Sequence, residues 1–96
     1  MIRDKKMEHR EKEELLKVLS KIDNNKQLLD DFLEDLLTPA EYRDVAKRWQ
    51  IVKELNKGVP QHKISEDLQI AIGTVTRGSR SLLNPQGGFN KVLSRE

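Results

Sequence analysis

The side chains best suited to chemistry crowd one stretch near the C-terminal end, Leu68-Gln69-Ile70-Ala71-Ile72-Gly73-Thr74-Val75-Thr76-Arg77-Gly78-Ser79-Arg80-Ser81-Leu82. It reads as a short turn feeding a helix whose exposed face is small, hydroxylated and basic. A helix kept slim at its start lets its backbone approach the base edges in the DNA major groove. From Leu68 to Arg95 there is no acidic residue, while Arg77, Arg80, Lys91 and Arg95 are basic. A surface of one sign is what phosphate attracts. The chemistry implied is recognition of duplex DNA by a helix-turn-helix; the plainer alternative is an amphipathic hairpin with solvated charge.

Such a motif needs two helices crossing steeply through a tight turn, locked by apolar side chains. Counting from Gln61, apolar residues fall at the fourth, eighth, tenth and fifteenth positions, Ile64, Leu68, Ile70 and Val75. Ser65 is small where the two helices approach. Gln69 stands in the turn where glycine is frequent, a substitution that costs about 1 kcal/mol if the backbone there is left-handed. On the second helix Ile72, Gly73 and Thr76 are placed to meet bases, and Thr74 with the free amides of the first turn to meet phosphate. His62, Ser65, Gln69 and Arg80 complete the candidate DNA-facing set. Gly73 and Gly78 each weaken a helix by roughly 1 kcal/mol against alanine, so two in one helix imply that something comes close to its backbone.

The elements that must hold this head in place are also helical. The charged stretch 1–14 is expected to fray at its start; from about Glu8 to Ile22, Leu15, Leu16, Leu19 and Ile22 share a face. Asp23-Asn24-Asn25 breaks that helix and caps the next, where Leu28, Leu29, Phe32, Leu33 and Leu36 form a wide stripe over Lys26–Leu37. Thr38-Pro39-Ala40-Glu41 has the composition of a capped helix start. The helix it opens is read with Tyr42, Val45, Ala46, Trp49, Val52 and Leu55 inward and Gly58 as terminator. Asn84-Pro85-Gln86-Gly87-Gly88 stops the reading helix near Leu83, and Phe89, Val92 and Leu93 mark a last short helix. No segment alternates with period two. The expectation is an all-α fold of about six short helices in a single domain over 1–96. Within it, 1–37 are N-terminal dimerisation helices, 38–58 a central helix, 60–83 the helix-turn-helix and 86–95 a C-terminal helix. Thin apolar stripes on short helices call for a partner subunit to finish the core.

Composition narrows the function classes. The chain has 96 residues, 35% hydrophobic and 35% charged. Met1–Leu37 holds 8 basic and 10 acidic residues and Thr38–Glu96 holds 10 basic and 6 acidic, so the formal net charge of +2 hides a basic second half. With no cysteine there is no disulfide framework and no thiolate metal site. His9 and His62 have no neighbouring ligand, so no metal is expected. The pairs Glu13-Glu14, Asp30-Asp31 and Glu34-Asp35 are read as solvated helix faces. No nucleophile elbow, phosphate-cradling loop or dinucleotide fingerprint occurs, which argues against an enzyme. The start lacks an apolar h-region and no run approaches a membrane span, so a cytoplasmic protein without membrane partners is expected.

The stretches Leu37-Thr38-Pro39-Ala40-Glu41, Arg48 through Leu55, and Thr74-Val75-Thr76-Arg77-Gly78-Ser79 resemble the tryptophan repressor family over roughly Leu36 to Leu82. That resemblance implies an intertwined, all-helical homodimer that represses transcription on operator DNA, with L-tryptophan as corepressor. In the family two arginines sandwich the indole ring, and they match Arg48 and Arg77. A guanidinium plane stacks well on an aromatic face and pairs with a carboxylate. The resemblance places the ligand ammonium near Leu37, with Thr38 and Ser81 close by. Without it Arg48 would be read as solvated or paired with Asp44 four residues earlier. Trp49 is read as a core anchor of the dimer interface. The alternatives are a regulator of the same fold with another ligand or none, as the Gly87-Gly88-Phe89 end suggests, or a helical protein-interaction module working through the stripe of residues 28–36.

Overall fold

The computed structural model describes residues 4–95, and all regular structure among them is helical. The chain divides into two compact units, Met1–Thr38 and Pro39–Glu96.

The first unit holds α1 (Lys5–Lys21) and α2 (Lys26–Leu36). Residues 1–3, where fraying was expected to begin, lie outside the described residues. From there the helix starts earlier than the apolar pattern alone indicates, because the Asp4 carboxylate accepts the Lys6 amide at 2.9 Å and caps the first turn. Asn24 adopts φ +50°, and Asn25 then caps α2 by accepting the Leu28 amide at 3.0 Å. Neither helix buries a single residue. Leu16 stays 51% exposed and Leu28 50%, although both lie on the apolar stripes. Of the carboxylate pairs only Asp30 is half-buried.

The second unit holds α3 (Pro39–Asn56), α4 (Gln61–Leu68), α5 (Ile72–Leu82) and α6 (Gly88–Leu93). Gly58, at φ +85°, ends α3 in the left-handed conformation that spares only glycine. Ile51, Ile64 and Val75 form a core in which none is more than 1% exposed, with Leu55, Val59, Leu68 and Ile70 against it. Val52 is equally buried. Each of these four side chains contributes about 1.5–3 kcal/mol by leaving water.

The inward face of α3 differs from the one read off its sequence. Val45 and Ala46 are exposed, Tyr42 and Trp49 are half-buried, and Ile51, absent from the expected face, sits at the centre of the core. The cause is the flank that α5 occupies. A Cβ on Gly78 would lie 3.2 Å from Ile51 Cγ2 and 3.5 Å from Leu55 Cδ1, so α5 presses on the side of α3 that carries these two residues. The single-stripe pattern misses a helix gripped on its flank.

Candidate nucleic-acid interface and ligand cavity

The head from Gln61 to Leu82 is fastened by polar as well as apolar contacts. Ser65 Oγ donates to the Ile70 carbonyl at 2.6 Å, closing the turn from inside. Gln69 occupies the left-handed region at φ 53°, ψ 53° and ends α4, as the turn geometry requires. Thr76 Oγ1 lies 2.9 Å from Gln61 Oε1 and 3.0 Å from the Ile72 carbonyl, which links the start of α4 to the first turns of α5. The hydroxyls of Ser65 and Thr76, both read from sequence as DNA-facing, are thus engaged within the motif. The Gln61–Thr76 link had no local signal; it spans the turn and exists only once the helices cross.

The remaining DNA-facing candidates are open. His62, Gln69, Ile72, Gly73 and Arg80 are exposed and Thr74 is half-buried. Ile72 keeps 49% of its surface despite its apolar side chain. Ala71 starts α5 with no side-chain cap, so the first-turn amides have no competing side-chain acceptor. The two glycines that sequence treats alike have different roles. Gly78 lets α5 approach α3, whereas a Cβ on Gly73 would meet nothing within 4 Å. Lys63 is paired with Asp67 at 3.3 Å. Among the described residues Arg48 makes no ion pair with Asp44.

Behind this face lies a cavity of about 310 Å³ lined by Arg48, Ile51, Val52, Gly73, Thr74, Arg77, Gly78, Ser81 and Phe89. It brings Arg48 of α3 to the same space as Arg77 and Ser81 of α5. The floor is the buried pair Ile51–Val52; the rim is cationic. Ser81 Oγ donates to the Arg77 carbonyl at 3.2 Å, one turn back. Leu37 and Thr38 are not among its walls; they stand at the end of the first unit, where the Leu37 amide donates to the Leu33 carbonyl at 2.9 Å and closes α2. Phe89 is a wall that sequence reasoning passed over. The volume falls at the low end of the ~300–1,000 Å³ usual for small-molecule sites, and apolar walls with a few charged groups are their usual chemistry. Among the described residues no cluster of His, Asp or Glu could hold a metal. Nor is any described helix long and apolar enough to cross a membrane.

Residues 10–96 match the protein family described as Trp repressor protein. A Trp operon repressor homolog of Chlamydia trachomatis serovar L2 is 34% identical over 77 residues, spanning 75% of this chain and 82% of its own. Another, from serovar D of that species, is 37% identical over 79 residues with the same coverage. A Trp operon repressor homolog of Actinobacillus succinogenes reaches 47% identity over 53 residues, 54% of this chain and 52% of the relative. No solved structure matches the chain.

Proposed function

The chain belongs to the Trp repressor family, a regulatory and non-enzymatic family of DNA-binding proteins, and on that premise we propose that it represses transcription as a cytoplasmic homodimer whose corepressor is L-tryptophan. One observation carries the reading. Arg48 and Arg77, on different helices, line one cavity together with Gly73 and Thr74 at the start of α5. An occupant of that cavity touches α3 and the reading helix at once, so it favours one orientation of α5 over others. Only a ligand with such a preference shifts a conformational population.

The roles divide accordingly. Ile72 and Gly73 face base edges, His62, Gln69, Thr74 and Arg80 meet phosphate, and Ser65 and Thr76 hold the head in shape. Arg48 and Arg77 stack on the indole and pair with its carboxylate, with Ser81 beside them. Leu37 and Thr38, which the family resemblance gives to the ligand ammonium, are not walls of this cavity and are assigned no role in it. The bare apolar faces of α1 and α2 support a partner subunit, and a second copy presents two heads to half-sites about 34 Å apart, one turn of duplex. A gel-shift titration with and without L-tryptophan tests the proposal. Tighter operator binding with the amino acid is the expected result, and equal affinity in both conditions defeats the corepressor role. Should the stripe of α2 instead serve a protein partner, binding would be nearly indifferent to salt, whereas phosphate contacts weaken steeply with it.

A further inference from the structure

We propose that Phe89 is the specificity-determining wall of the ligand cavity, the side chain that limits how large a ring system the site accepts. This rests on the corepressor reading and narrows it. Phe89 and Ser81 line the cavity between α3 and α5. The same two residues also bound a second hollow of about 620 Å³, whose other walls are Trp49, Asn84, Gly87, Gly88 and Val92. The two spaces meet at one aromatic ring and one hydroxyl. That hydroxyl is turned back to the Arg77 carbonyl, which leaves Phe89 as the larger of the two shared walls.

The backbone that carries the ring is tied down by its neighbours on both sides. Asn90 Nδ2 donates to the Leu82 carbonyl at 2.9 Å and to the Asn84 carbonyl at 2.8 Å, using both protons of its amide. The Gln86 amide donates to Asn84 Oδ1 at 3.0 Å and the Gly87 amide to the Asn84 carbonyl at 2.9 Å. A Cβ on Gly87 would lie 3.1 Å from that carbonyl, so the segment is tight as well as bonded. These bonds tie the start of α6 to the end of α5. A side chain carried on a segment anchored in this way selects among ligands, where one on a loose segment would adapt to them. Removing the ring takes away a wall common to both hollows and opens the cavity toward the second. The added walls, Trp49 and Val92, are apolar and suit a substituent on an indole ring.

The test is calorimetric titration of the full chain and its Phe89→Ala and Phe89→Trp variants with L-tryptophan and with ring-substituted benzyloxy-tryptophan, alongside circular dichroism. The wild type should prefer L-tryptophan. Phe89→Ala should shift the ratio of the two affinities toward the bulky analogue by about tenfold, and Phe89→Trp should weaken both, the size of effect that a few carbons make in an apolar pocket. An unchanged ratio in folded Phe89→Ala overturns the proposal. A wild type that binds no L-tryptophan sinks the corepressor reading alone. The wall is then read with anilinonaphthalene sulfonate, an anionic aromatic dye suited to two arginines. Stronger dye binding by Phe89→Ala upholds it, and indifference overturns it.

Discussion

The two units of this chain solve the same problem differently. Unit Pro39–Glu96 closes a core of its own around Ile51, Ile64 and Val75, while α1 and α2 finish with no buried residue at all. Both have helices of similar length and comparable apolar patterning. What separates them is the close approach that Gly78 permits, and the turn at Gln69 that folds α4 back toward α5. A short helix gains little from propensity alone and depends on packing for its stability. The contrast is between a head that packs on its own and two helices whose apolar stripes stay open, in keeping with the proposed function.

The largest effect comes from striking each unit at its apolar face. Ile51→Ala should cost about 2–5 kcal/mol and lower the melting temperature equally at every protein concentration. Leu16→Ala should act through assembly, so its penalty grows on dilution. A dilution series of thermal melts decides this. Equal, concentration-independent losses for both variants would erase the contrast between the units.

Next in size is the cavity of the head. Arg77→Ala removes charge-assisted bonds each worth about 1.5–3 kcal/mol, which predicts at least a tenfold loss of L-tryptophan affinity by calorimetry. Sedimentation should show the same particle mass as the wild type; a changed mass would mean that the head also contributes to assembly. A smaller effect is expected from Arg80→Ala. It should weaken DNA binding about equally on all sequences and reduce the slope of log affinity against log salt by about one. An unchanged slope would take Arg80 off the phosphate-facing surface.

Smallest of all is Gly73→Ala. The added methyl meets nothing within 4 Å, so stability should rise by up to about 1 kcal/mol. Operator affinity should nonetheless fall, since the methyl occupies the approach to the reading helix. A rise in both would leave Gly73 without a role in recognition.

Much of the fold is written in local chemistry. Pro39, Gly58, Asn25 and the Asn84–Gly88 cluster each mark a helix boundary through properties of one or two residues, and the structure places the boundaries there. Gln69 in a left-handed turn was legible because the motif demands that backbone whatever residue supplies it. Ile51 was not legible, since its burial depends on which flank α5 grips. Asp4 was obscured by the charges around it. For the site, Arg48 and Arg77 needed a family resemblance to be paired at all, because nothing in α3 distinguishes Arg48 from a solvated arginine. Phe89 looked like the apolar residue of a minor helix. Its place beside the arginines depends on how α6 folds back on the end of α5, where the Asn90 amide bonds the Leu82 and Asn84 carbonyls.

The bare backbone of Gly78 against Ile51 has a mechanical consequence. Where two helices touch this closely, sliding is blocked and rotation about the point of contact is the softer motion. Gly78 is then a fulcrum and the first turns of α5 a lever arm, since Ile72 lies six residues away, about 9 Å at 1.5 Å per residue. A tilt of about ten degrees swings that tip by roughly 1.5 Å, well beyond the ~0.5 Å tolerance of a well-formed polar site. Small changes near the pivot are thereby magnified at the start of α5.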